Sequence, residues 1–212
     1  MTLKFETIVN GPFQENCYLV WEEETKQGIF VDPGDEAPRL IRTARFLGVD
    51  VKAVYNTHGH IDHAGAAAAV CEEFGVKFAM HPADAFLLEG LPEQARMFGI
   101  PPMAVPHVDL ELKDGDALAV GSSRGEVIHT PGHTPGGVCF RFGDVVLVGD
   151  TLFAGSIGRT DLPGGSTRQL LASIRDRLLT LPGDTRALSG HGPATSIGVE
   201  KKHNPFLDGR WQ

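Results

Sequence analysis

The sequence predicts an α/β fold in which two sheets pack face to face and helices cover their outer sides. Three observations lead there. Runs of strand length, apolar or alternating, recur in both halves of the chain. Strands are followed by amphipathic helices in each half, and Asp, Pro and Gly punctuate the junctions. The chain has 212 residues, 42% of them hydrophobic and 22% charged. That suits one folded unit with a packed core, and residues 1–212 read as a single domain without repeat or linker.

Leu3 to Val9 alternates, and Asn16 to Trp21 and Gly28 to Val31 are short apolar runs, so all three read as strands. Asp32-Pro33-Gly34-Asp35 then breaks the chain as a turn. From Ala37 to Leu47, the residues Leu40, Ile41, Ala44 and Leu47 share one helical face, and Gly48 stands at the C-cap position. Val51 to Tyr55 is a strand that delivers the chain into a histidine-rich run. Ala64 to Phe74 is rich in alanine and lacks proline, so it reads as one helix ending at Gly75. Lys77 to Met80 is a strand, and Ala83 to Glu89 is one or two helical turns. Leu91 to Val108 carries four prolines and Gly99 and reads as a loop with a short helix at Glu93 to Phe98. In the second half, Leu118 to Val120, Glu126 to His129, Gly137 to Phe142 and Val145 to Val148 are strands. Thr167 to Leu181 reads as an amphipathic helix, and Ala187 to Ser189 as a last buried strand.

The charge of -8 gives the chain no electrostatic reason to seek nucleic acid or an anionic membrane. No run of eighteen apolar residues exists to span a bilayer. Met1 to Phe13 does not have the basic start and apolar stretch of a signal peptide. Cys17, Cys71 and Cys139 are odd in number and widely spaced, which implies no disulfide framework and a cytoplasmic location.

Of nine histidines, His58, His60 and His63 lie within six residues, with Asp62 among them. Imidazole and carboxylate suit zinc, iron or manganese, whereas a zinc finger would need paired cysteines. Two apart in an extended segment, His58 and His60 point to one side. Asp62 and His63 begin the following helix, with Asp62 near its N-cap, and turn toward a second point. One loop can thus serve two ions. His133, Asp150 and His191 each follow a strand and could reach the same rim. A carboxylate such as Asp150 at the end of an apolar run is costly without a cation nearby. Taken singly, each of these three fits a structural role equally well.

His58-x-His60-x-Asp62-His63, His133, Asp150 and His191 resemble, in order and spacing, the ligand set of the metallo-β-lactamase superfamily. Asn16-Cys17-Tyr18-Leu19 and Val31-Asp32-Pro33-Gly34 look like its early strands and turn, so the likeness covers nearly the whole chain. Gly149-Asp150-Thr151-Leu152-Phe153, Gly158-Arg159-Thr160-Asp161, Gly190-His191-Gly192-Pro193 and Asn204-Pro205-Phe206 are similar to the glyoxalase II group, the hydroxyacylglutathione hydrolases, in its short bacterial form. The resemblance implies a four-layer αββα sandwich with two divalent metal ions at one edge of the sheets. Zinc comes first, with iron or manganese as alternatives. It implies that His58, His60 and His133 hold one ion, that Asp62, His63 and His191 hold the other, and that Asp150 bridges both. Asp62 and Asp150 are then the catalytic carboxylates. Hydroxide between the ions would attack a small thioester, S-lactoylglutathione or a relative. Arg159 falls where the family has a basic residue that contacts substrate; its alternative is an ion pair with Asp161. Full glyoxalase II carries a further helical domain, for which the 21 residues after His191 are too few. Two other readings compete. One is a mononuclear iron oxidoreductase of the persulfide dioxygenase type, using His58, His133 and Asp150. The other is a metal-dependent interaction module, against which the complete ligand set argues.

Overall fold

The structure, a computed structural model, describes residues 2–207; the rest of the span 1–212 lies outside the described residues. The first half runs β1 (Leu3–Asn10), β2 (Glu15–Glu22), β3 (Gln27–Val31), α1 (Ala37–Leu47), β4 (Asp50–Tyr55), α2 (Ile61–Ala64), α3 (Ala67–Phe74), β5 (Lys77–Met80), α4 (Ala85–Glu89), α5 (Leu91–Phe98) and β6 (Leu110–Glu111). Its strands form one sheet in sequence order, antiparallel from β1 to β3 and parallel from β3 to β6.

The second half runs β7 (Ala117–Val120), β8 (Ser123–His129), β9 (Val138–Phe142), β10 (Val145–Gly149), the small hairpin β11 (Leu152–Phe153) and β12 (Ser156–Ile157), α6 (Thr167–Ser173), β13 (Arg186–Ser189), β14 (Thr195–Ser196) and α7 (Ile197–His203). Its large sheet has the order β14-β13-β10-β9-β8-β7, with β10 and β13 parallel.

Alternation along the strands sorts their side chains into three packed layers. On β2, where every residue is buried, Cys17, Leu19 and Trp21 face α1 and α3, together with Phe30, Val54, Phe78 and Met80. Tyr18 and Val20 face the other way, with Ile29 and Val31, onto Val127, Phe140, Leu147 and Leu188 of the second sheet. Beyond that sheet, Ile128, Cys139, Val146, Val148 and Ala187 meet Leu170, Ile174, Leu178 and Ile197. Helices, two mixed sheets and helices make four layers, as expected from the sequence. Both faces of the central strands are covered, which is why they read as apolar runs. No described helix is long and apolar enough to cross a membrane.

Two expected helices differ. The helix expected from Ala64 to Phe74 is two helices, because the Pro33-Gly34 turn presses against it. Ala66 N–H donates to Pro33 O at 3.0 Å instead of to its own helix. A Cβ on Gly34 would fall 1.6 Å from Asp62 O, so only glycine permits this approach. The expected helix from Thr167 to Leu181 is α-helical only to Ser173 and continues as a π turn over Ile174–Leu178. That wider turn keeps Ile174 and Leu178 in the core while Ser173 Oγ donates to Pro131 O at 2.7 Å. The helix expected at Glu93 begins at Leu91, with proline in its first turn where no donor is lost.

Candidate metal centre

The polar residues gather where strands of both sheets end. β3 leads to Asp32, β4 to Thr57 and His58, β8 to His133, β10 to Asp150 and β13 to His191. β2 braces this edge from the first sheet. Tyr18 Oη donates to Ser189 O at 2.6 Å, and Asn16 Nδ2 to Ser189 O and Gly192 O, each at 2.9 Å. The loop carrying His191 is thereby clamped across the two sheets.

Two triads result. Ligand-type atoms of His58, His60 and His133 lie within 4.8 Å of one another, as do those of Asp62, His63 and His191. Asp150 sits between them. Its Oδ1 is 3.4 Å from His63 Nε2, and its Oδ2 is 3.6 Å from His133 Nε2 and 3.7 Å from His191 Nε2. Nitrogens on one tetrahedral ion are roughly 3.3 Å apart, so the 3.0 Å between His60 Nδ1 and His133 Nε2 is of that order. Asp62 lies in the first turn of α2, and His60, not Asp62, is the N-cap.

The rings are aimed by their other nitrogens. Nδ1 of His58 meets Thr57 Oγ1 (3.0 Å), that of His63 meets Asp32 Oδ2 (3.1 Å), that of His133 meets Arg159 O (2.7 Å), and that of His191 meets Phe13 O (3.1 Å). Such partners fix tautomer and ring plane. Among the described residues, seven buried side-chain atoms have no hydrogen-bond partner, and three of them belong to the ion-facing side of this set: Nε2 of His58, Nε2 of His63 and Oδ1 of Asp150. Native interiors seldom tolerate that. The concentration of such atoms at one point, all of metal-ligating type, fits a bound cation.

The electrostatics agree. Burial lowers His58 far below the ordinary histidine range and His60 to about 4, so both are neutral donors near pH 7. Burial is the largest single effect on Asp62 and Asp150 and opposes their charge, yet His63, His191 and the other rings beside them together outweigh it and hold both carboxyls below their usual range. Burial likewise disfavours protonated His63, but Asp150 and Asp62 hold that ring well above its ordinary value. The pocket therefore demands positive charge, as protons or as metal. Gly190 is needed here, since a Cβ would lie 2.3 Å from Asp150 Oδ1 and 2.7 Å from His63 Cε1.

A family model described as the metallo-beta-lactamase superfamily matches residues 10–191. The chain belongs to the metallo-β-lactamase superfamily. Among curated relatives, hydroxyacylglutathione hydrolase GloC of Haemophilus influenzae is 42% identical over 98% of this chain and 100% of its own. Among solved structures, the BLEG-1 B3 metallo-beta-lactamase is 39% identical with a TM-score of 0.90, covering 97% of this chain and 100% of that one. TTHA1623, solved in a di-iron-bound form, is 40% identical with a TM-score of 0.87, covering 95% and 100%. Metal ions are bound in this superfamily, and the His/Asp clusters of this member stand where strands of both sheets end.

Beside the centre of this superfamily member opens a cleft of about 450 Å³, lined by Asp150, Phe153, Ile157, Arg159, His191 and Pro193 among others. Arg159 is at the cleft and is also paired with Asp161, through Nε–Oδ1 at 2.8 Å and Nη2–Oδ2 at 2.7 Å. Both sequence readings of Arg159 thus have a geometric counterpart.

Two of the buried carboxylates that escaped the sequence reading, Asp32 and Asp84, brace the ligand loops. Asp32, read only as a turn residue, accepts from Thr57 N and Thr57 Oγ1, each at 2.6 Å, besides meeting His63. Its position at the end of an apolar strand is the signal that singled out Asp150, and it applied equally here. Asp84 accepts from Gly59 N (3.1 Å), Thr134 Oγ1 (2.7 Å) and Gly136 N (2.6 Å), tying the His58–His60 loop to the His133 loop. Nothing local marks it, because its partners are 25 to 52 residues away.

Proposed function

We propose that residues 1–212 act as one domain, a dinuclear metal-dependent hydrolase of small thioesters, S-lactoylglutathione or a related compound. The observation that carries this reading is the pair of triads with Asp150 between them. His58, His60 and His133 would hold one ion, Asp62, His63 and His191 the second, and Asp150 would bridge. Bound there, divalent ions supply Lewis acidity and lower the pKa of water toward neutrality. Zinc is the first candidate; the di-iron form of TTHA1623 supports iron as an alternative, and manganese suits the same donors.

The chain's residues do the rest. Neutral His58 and His60 present lone pairs and no proton. Asp62 Oδ2, 3.2 Å from His191 Nε2, and Asp150 Oδ2 offer acceptors that orient an attacking water. Water adds to the thioester carbonyl carbon, the C–S bond breaks, and the water's proton leaves with the thiol. Phe153, Ile157 and Pro193 shelter the thiol half, and Arg159 offers a guanidinium to a substrate carboxylate. The name of the Haemophilus relative supports a hydroxyacyl thioester of glutathione.

The test is to load purified protein with zinc, ferrous iron or manganese and follow thiol release from S-lactoylglutathione and simple acyl thioesters. Release with at least one metal is expected. No release from any thioester would sink the reading. Oxygen uptake on glutathione persulfide with one ferrous iron per chain would replace it by the oxidoreductase alternative.

A further inference from the structure

Among the described residues, Arg159 is the one permanently cationic side chain lining the cleft beside the metal centre. It also lines a second lobe of about 410 Å³ with Ile157, Thr160, Leu171 and Phe206. The residue is anchored from its backbone, because its carbonyl oxygen accepts from His133 Nδ1 at 2.7 Å. Its distance from the candidate reaction centre is thereby set. Its side chain, however, is already spoken for. The Nε/Nη2 edge meets both oxygens of Asp161, while Nη1 makes no hydrogen bond among the described residues. That edge is the side-on fork of the two by which arginine grips a carboxylate, and it can hold one carboxylate at a time. The side chains are 61% and 68% exposed, so solvent screens the pair and it exchanges readily.

We propose that Asp161 is a built-in competitor for the anionic end of the substrate. A carboxylate entering the cleft takes the Nε/Nη2 edge of Arg159, and Asp161 swings into solvent. Asp161 then sets how strongly the cleft prefers anionic over neutral ligands and keeps Arg159 extended along the cleft wall when it is empty of substrate. The identity of the substrate rests on the hydrolase reading above; the exchange at Arg159 rests on the pair's geometry.

Binding of S-methylglutathione, an unreactive anionic thioether, to the metal-loaded protein by calorimetry tests this without turnover. Asp161→Asn should tighten binding about two- to fivefold, the range expected for release of an exposed pair. Arg159→Ala should weaken binding, and Asp161→Asn should have no further effect in the Arg159→Ala background. With turnover, the KM of S-lactoylglutathione relative to that of the neutral acetyl thioester of N-acetylcysteamine should fall in Asp161→Asn by the same factor. Weaker binding in Asp161→Asn would overturn the proposal, for Asp161 would then be a support that prepares Arg159. An Asp161→Asn effect that persists without Arg159, or no binding to the wild type, would overturn it as well. The predicted binding pattern without cleavage of any thioester would sustain the exchange at Arg159 and sink the thioester reading alone.

Discussion

Replacing Asp84 with alanine removes the single acceptor shared by Gly59 N, Thr134 Oγ1 and Gly136 N. The Thr134 hydroxyl can turn elsewhere, but the two backbone donors cannot. A buried donor left without a partner costs about 1–3 kcal/mol, which makes the two together worth about 2–6 kcal/mol. Part is offset, because burial raises the Asp84 carboxyl above its ordinary range and the variant is relieved of that strain. A net loss of about 3 kcal/mol is expected, a large share of a typical stability of about 5–15 kcal/mol. The damage should also reach the metal. Gly59 lies between His58 and His60, and Gly136 follows His133 by three residues, so the loops of one triad loosen together. Supporting partners of this kind are worth about 10–100-fold in metal affinity. Urea unfolding of the metal-free variant reads the first effect, and zinc titration against a competing chelator reads the second. A stability change under about 1 kcal/mol together with unchanged zinc affinity would refute the claim that Asp84 ties the two loops.

Four further outcomes are expected. Asp150→Ala should lose at least one metal equivalent and nearly all activity; two metals with full turnover would contradict the bridging role. Asp32→Asn should weaken zinc about 10–100-fold at the triad containing His63, seen as a lowered second binding step in the same titration. Gly190→Ala should disturb metal binding more than folding, since its Cβ would meet Asp150 and His63; metal content and thermal unfolding separate the two. Burial raises the Glu15 carboxyl well above 4.5. Folding then favours its protonated form, so its contribution is fully present below pH 4.5 and fades as pH rises through the folded value. The stability of the metal-free wild type relative to Glu15→Gln should therefore fall as pH rises from about 4.5, read by urea midpoints.

Much of the architecture was legible because it follows from local pattern. The runs at Asn16 to Trp21 and Val145 to Val148 are short and apolar, the pattern of strands, and Gly48 and Gly75 stand at positive φ where the helices stop. The candidate site was legible for a different reason: His58, His60, Asp62 and His63 carry their chemistry in their residue types, whatever the fold. What escaped depends on distant backbone. The break at Ala66 is made by Pro33 O, and no property of Ala66 itself announces it. β6 and β14 are two-residue strands that exist only by pairing with β5 and β13. α7 begins at a Ser196 cap, with Ser196 Oγ accepting from Val199 N, a signal present in the sequence and overlooked beside the loop residues around it. Asp84 is the extreme case, defined wholly by partners that folding brings to it.

The proposed function requires seven side chains to hold two ions. Anomalous scattering from crystals grown with zinc, collected on both sides of the zinc edge, tests it most directly. Two peaks roughly 3.5–4 Å apart are expected, one among His58, His60 and His133 and one among Asp62, His63 and His191, with Asp150 touching both. A single peak, or peaks away from these triads, would contradict it.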